Sequence, residues 1–144
     1  QIYAMFVDEG GFCSFKGRML GADYSETLSV TRTRLKQLTQ GTLTLHKRIP
    51  NLTAHKPLIV LVDHDTRSAA ELVAGALHDC GRARIVGTRT FGKGVVQDSW
   101  SLGDGSSVRI TTGRSYLPKS GCIHGIGLQP DMPGLPDLSI VATH

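Results

Sequence analysis

The segment PLIVLVDHDTRSAAELVAGALHDCGRARIVG, residues 57–87, constrains the fold more than any other part of the chain. Residues 57–63 form an uninterrupted aliphatic run, the mark of a strand buried on both faces. Residues 68–81 follow with Ala69, Leu72, Val73, Ala76 and Leu77 on a helical period, and Gly81 stands where helices commonly end. Residues 83–87 are a second short buried strand. Strand, helix and strand within about 30 residues require a parallel crossover, expected to be right-handed. The chain is therefore expected to be α/β. VVQDSWSL (95–102) and SVRITTGRSYL (107–117), joined across GDGS, add a β-hairpin.

The rest is less regular. Residues 1–7 read as the end of an apolar helix closed by the turn-forming DEGG. The region 12–56 is polar, Thr-rich and weakly periodic. Within it FCSFKGR and TLTLHKR alternate enough to suggest exposed strands. From Pro118 onward, Pro130, Pro133 and Pro136 mark a tail that reads mostly as loop.

With 144 residues, 40% hydrophobic and 19% charged, the chain is one domain's worth of ordinary globular composition. No apolar run approaches the roughly 18 residues of a membrane-spanning helix. The start at Gln1, directly before apolar IYAMFV and without a signal peptide, suggests a fragment or a processed chain, so location cannot be read from it. The net charge of +4 gathers partly in RTRLK (32–36) and HKR (46–48). No aromatic residues interleave there, which favours a solvated face over a nucleic-acid groove. Cys13, Cys80 and Cys122 are odd in number and without a CxxC pair, so they are expected to be buried free thiols.

GTRTFGKG, residues 87–94, falls one residue short of the phosphate-cradling pattern G-x-x-x-x-G-K-[ST]. Gly94 takes the place of the metal-binding hydroxyl, and the β-rich VVQDSWSL stands where a helix should follow, so a nucleotide loop is rejected. Lys93 could instead serve as a base if burial by Phe91, Val95 and Val96 favoured its neutral form. Its candidate partner is Ser68, at the turn into the helix, because parallel strands of one crossover deliver their following loops to the same sheet edge. Ser-Lys pairs are one form of the nucleophile–base arrangement. SAAE is also a capping box, S-x-x-E before an apolar run, and would explain Ser68 and Glu71 without catalysis. Local pattern leaves both readings open.

Residues 68–97, SAAELVAGALHDCGRARIVGTRTFGKGVVQ, resemble the core of the C-terminal processing peptidases, or tail-specific proteases, which are serine peptidases with a Ser-Lys dyad. The Ser-x-x-Glu step, the Ala/Gly-rich helix, D-x-G-R-A, V-G and F-G-K-G-x-V-Q occur in the family's order. Ser68 and Lys93 stand 25 positions apart, as the family requires. LGDGSSVRITTGRSYLP resembles the family's hairpin and IHGIGLQPDM its closing segment, so the likeness covers about residues 57–132. The resemblance implies a crotonase-like catalytic core. Ser68 would be the nucleophile, Lys93 the general base, Gln97 the residue orienting the lysine amine, and the Ala69 N–H an oxyanion donor. It also implies protein substrates cut near their C-termini, no metal or cofactor, a possible homo-oligomer, and an envelope, periplasmic or thylakoid-lumen setting.

Two departures from the family pattern stand out. DHDTR, residues 63–67, is polar where the family has small residues, and Arg67 beside Ser68 could crowd the cleft, attract a substrate carboxylate or act on Lys93. The family's glycine-rich stretch, source of a second oxyanion donor, and its PDZ domain are expected upstream of Gln1. Loss of one such donor typically costs about 10²–10³ in rate, so this stretch alone is expected to be a poor catalyst. An inactive binding or scaffold member of the fold is the alternative reading. Other candidates are weaker. Asp63, Asp65 and His78 could be a metal cluster, but a loop or helix cap made by Asp65 or Thr66 is preferred. HDC (78–80) and CIH (122–124) lack zinc spacing. The sequon NLT (51–53) matters only in a glycosylating secretory pathway.

Overall fold

The computed structural model describes residues 2–47, 50, 51, 53 and 56–134. A single 3₁₀ turn, Ile2–Met5, opens the chain. Four strands follow in an antiparallel meander: β1 (Gly10–Met19), β2 (Ala22–Val30), β3 (Arg34–Thr39) and β4 (Thr42–Lys47). The crossover comes next, as β5 (Ile59–Val62), α1 (Ala69–Asp79) and β6 (Arg84–Gly87). The hairpin β7 (Val95–Ser101) and β8 (Ser107–Tyr116) and the short β9 (Met132–Pro133) complete it. The last expected tail residues, including Pro136, lie outside the described residues.

Two sheets result. The larger has the order β4-β3-β2-β1-β8-β7 and is antiparallel throughout. The smaller, β5-β6-β9, is parallel, with β5 and β6 in register from Ile59↔Arg84 to Val62↔Gly87. The result is a mixed α/β architecture in which the expected crossover and hairpin both occur.

The core lies around α1. Leu72, Ala76 and Leu77 are buried together with Tyr3, Cys13, Ile85, Leu117 and Leu128. Gly75 sits in the middle of this helix, where glycine costs about 1 kcal/mol relative to Ala. A Cβ there would lie 2.4 Å from Leu117 Cδ1, so the glycine is what lets Leu117 close onto the helix.

Several expectations need correction. β5 is not buried on both faces: Ile59 is 58% and Leu61 50% exposed, because these alternate residues share a face that lies open while Val60 and Val62 face the core. Ala69, expected on the apolar face of α1, is exposed in the helix's first turn. The helix N-cap is Ser68, neither Asp65 nor Thr66. Of the cysteines only Cys13 is buried, and burial, with a further push from the Glu26 charge, raises its thiol to about 12. Cys80 is exposed because it caps the end of α1, and Cys122 is half-buried. Asp63 and His78 do not converge. Asp63 Oδ1 accepts from the Thr66 hydroxyl and from the backbone N–H of Asp65 and Thr66, closing a local turn.

His78 instead joins a lock on β9. Asp131 accepts from the Ile85 N–H at 2.8 Å, from His78 Nε2 at 3.1 Å and from Arg84 at 3.5 Å. The Ile85 N–H foremost, then His78 and Arg84, holds this carboxyl below its usual range. A depressed folded value means that the stabilisation is present above the ordinary carboxylate range and is lost as pH falls through the folded value. Asp131→Asn should therefore lower the thermal midpoint at neutral pH, on the order of 5 °C. The gap from the parent should shrink on acidification below about pH 4. Melting curves across pH read this directly; a gap that widens in acid would contradict it.

Candidate active site

Because β5 and β6 are parallel and in register, their carboxyl ends release two loops side by side. The first, residues 63–68, ends at the N-terminus of α1; the second, residues 88–94, leads to β7. Thr88 N–H donates to the Val62 carbonyl at 3.1 Å and Phe91 N–H to the Thr66 carbonyl at 3.0 Å, so the loops run bonded to each other.

Ser68 stands at the end of the first loop with φ 57° and ψ −123°. Such a conformation for a residue with a side chain costs about 1–3 kcal/mol and persists only where the surroundings enforce it. The enforcing group is Glu71, fully buried one turn into α1. Its Oε2 accepts from the Ser68 N–H at 2.9 Å and from the Lys93 N–H at 2.8 Å. Its Oε1 accepts from the Gly92 N–H at 2.7 Å and from the Thr90 hydroxyl at 2.5 Å. One carboxylate thus fixes the backbone of both candidate residues, Ser68 and Lys93. The capping-box pairing anticipated for Glu71 is present, as half of what the residue does.

Thr90 extends the clamp. Its hydroxyl accepts from the Leu128 N–H at 2.7 Å, and its own N–H donates to the Leu128 carbonyl at 3.2 Å. Gly125 N–H donates to the Gly92 carbonyl at 2.9 Å. Gly127 makes this closeness possible: with φ +75°, a Cβ there would lie 2.2 Å from the Thr90 carbonyl oxygen. The closing segment 123–128 is therefore the back wall of the lysine loop.

Ser68, Lys93, Val95, Gln97, Ser99 and Arg109 line one cleft of about 230 Å³. Its floor is a face of the β7–β8 hairpin, since 95, 97 and 99 alternate onto one side. A bulge at Thr112 of β8, opposite the step from Val96 to Gln97, shifts the register between the two strands. Gln97 Nε2 donates to Thr111 Oγ1 at 3.4 Å, which leaves its carbonyl oxygen as the end able to accept from an amine. No hydrogen bond joins the Ser68 and Lys93 side chains among the described residues; they share the cleft and the Glu71 clamp. The Ala69 N–H, at the first position of α1, has no acceptor among the described residues.

Two sequence expectations change here. Lys93 is half-buried rather than buried, and Phe91, counted among its apolar cover, is 58% exposed. Arg67 neither crowds the cleft nor lines it with Lys93. Its guanidinium lies 5.9 Å from the centroid of the Phe91 ring, so the unexpected cation and the exposed aromatic cover each other. Gly94 leads directly into β7, as the rejection of a nucleotide loop required. Sequence reasoning missed Thr90, Ser99 and Arg109, which no local motif signals. A larger cavity of about 600 Å³ beside Leu58, Ile59, Arg82 and Arg84 lies at the amino ends of the parallel strands. It is remote from Ser68, and sites in such sheets sit at the carboxyl ends.

Within a mixed α/β fold, the site thus pairs a serine at a helix start with a lysine across a shared cleft. The chain belongs to peptidase family S41, whose sequence model matches residues 1–133. It is 47% identical over 85 residues to a carboxy-terminal-processing protease of Bartonella bacilliformis, covering 59% of this chain and 20% of that protein. It is 48% identical over 87 residues to the chloroplastic carboxyl-terminal-processing peptidase 1 of Arabidopsis thaliana, covering 60% of this chain and 17% of that protein. Among solved structures, a photosystem II D1 C-terminal processing protease matches with a TM-score of 0.65 and 32% identity, covering 95% of this chain and 30% of that one. The chain thus spans about a fifth of the length of the curated relatives it matches.

Proposed function

We propose that the chain is the partial catalytic core, crotonase-like in fold, of a serine endopeptidase that cuts proteins near their C-termini through a Ser68–Lys93 dyad. The observation that carries this is the double grip of Glu71, which ties Ser68 and Lys93 to one carboxylate beside one cleft. The names of the matched relatives support the substrate class, and the chloroplastic and bacterial relatives support an envelope or thylakoid-lumen setting. No helix among the described residues is long and apolar enough to cross a membrane.

In this mechanism Lys93, as the neutral amine, takes the Ser68 hydroxyl proton while Oγ bonds to the scissile carbonyl carbon. The Ala69 N–H, at the positive end of α1, donates to the developing oxyanion. Collapse breaks the C–N bond, and the Lys93 ammonium returns its proton to the leaving amine. Water then attacks the Ser68 ester, losing a proton to Lys93, and the new carboxyl end departs with Ser68 restored. The Gln97 carbonyl oxygen accepts from the lysine nitrogen and holds it toward Ser68. The Ser68 backbone geometry supports this reading, because a strained residue at a strand-to-helix turn presents its hydroxyl outward.

A covalent probe tests it. The full-length protein treated with a fluorophosphonate should gain one adduct, located on Ser68 by peptide mass, and Lys93→Ala should suppress that labelling. Cleavage of an unstructured protein by a preparation that takes no label at Ser68 would overturn the assignment.

A further inference from the structure

The cleft contains a cation that the dyad does not use. Arg109 lies on β8 opposite Ser99 of β7, and its Nε donates to Ser99 Oγ at 3.3 Å. That bond fixes one edge of the guanidinium. Its two terminal nitrogens have no partner among the described residues, and no acidic side chain lines the cleft. The nearby acid on β7, Asp98, faces the other side of the strand and accepts from the Thr112 hydroxyl at 2.6 Å. Glu71 is sealed behind the loops with both oxygens engaged. Beyond the reacting bond the cleft therefore offers a substrate the Arg109 cation, with no carboxylate among the described residues lining the cleft to neutralise it.

A fork of free N–H donors beside a bound hydroxyl matches a carboxylate, which accepts two parallel hydrogen bonds from such a fork. Resting on the peptidase reading above, we propose that Arg109, braced by Ser99, is an anion subsite that takes a carboxylate of the bound peptide. Because Arg109 and Ser68 line the same cleft, that group belongs to a residue flanking the scissile bond. The carboxylate comes either from an Asp or Glu side chain or from the free chain terminus. Arg109 is thereby a specificity-determining residue, and peptides acidic at that position are preferred.

The test uses the full-length protein and three matched peptides: one with Asp flanking the cleaved bond, one with Asn there, and one with Asn and an amidated C-terminus. In the parent, kcat/KM for the carboxylate-bearing peptide should exceed that of its neutral match by about tenfold. Arg109→Lys should keep only part of that ratio, since it retains the charge but not the fork, Arg109→Gln should bring it near one, and Arg109→Glu should invert it. If the Asp-to-Asn exchange carries the ratio, the ligand is a side chain; if amidation carries it, the ligand is the chain terminus. Affinities of the same peptides for Ser68→Ala, with and without Arg109→Gln, give the same ratio without any turnover. That arm separates failure of this proposal from failure of the peptidase reading. An acidic-to-neutral ratio unchanged across the Arg109 variants in both arms would overturn it.

Discussion

Ser68→Ala and Lys93→Ala should each reduce cleavage of an unstructured protein by the full-length protein about 10⁴-fold or more, with the double variant no worse than either single one. The non-additivity is the informative part. A nucleophile and its base act in one step, so removing either removes the whole covalent route, and only substrate binding and oxyanion stabilisation remain. Gln97→Ala leaves nucleophile and base in place, and its smaller loss should fall in kcat. Single-turnover cleavage rates measure all four variants. Undiminished activity in both single variants would remove the dyad, and multiplicative losses would place the two residues in separate steps.

The second large effect falls on Glu71. Its two oxygens receive four donors in a site closed to solvent. Glu71→Ala strands the N–H groups of Ser68, Gly92 and Lys93, and the loss should be about 3–5 kcal/mol, the usual range for breaking a buried charged network. Glu71→Gln is nearly the same shape, yet its NH₂ group must face either the Ser68 and Lys93 N–H groups or the Gly92 N–H and the Thr90 hydroxyl. Whichever way the amide flips, at least one backbone N–H meets a donor, so this variant should lose activity out of proportion to its volume change. Denaturant unfolding measures the first, and kcat against folded fraction the second. A stable, fully active Glu71→Gln would show that the carboxylate charge is unnecessary for holding Ser68 and Lys93.

The crossover was legible because its signals are local: an aliphatic run, a helical period in Leu72, Ala76 and Leu77, and a terminal glycine at Gly81 with φ +72°. The four-strand meander was legible only in part: alternation in FCSFKGR and TLTLHKR marked β1 and β4 as exposed strands, whereas β2 and β3 were not read. The two-residue turns joining these hairpins are Leu20-Gly21 and Gln40-Gly41, where Leu20 and Gln40 adopt positive φ in place of the usual Asn or Asp. The candidate site divides the same way. Ser68 and Lys93 were visible through spacing, whereas Thr90 and Arg109 owe their places to partners 38 and 10 positions away. Glu71 was visible only as a cap, because a short motif reports the bond to residue 68 and conceals those to residues 90, 92 and 93.

The bonds from Thr90 and Gly92 to Leu128 and Gly125, and the Asp131 lock on β6, also set an order of assembly. β5, α1 and β6 draw on neighbours close in the chain, but the lysine loop gains its back wall only from residues made some 30 positions later. Contacts that must close long stretches of chain form late. During synthesis the helix bearing Ser68 can therefore be complete while Lys93 still lacks its seat. On the nascent chain, the loop bearing Lys93 is thus braced against residues 125–128 only once that later segment has emerged and docked.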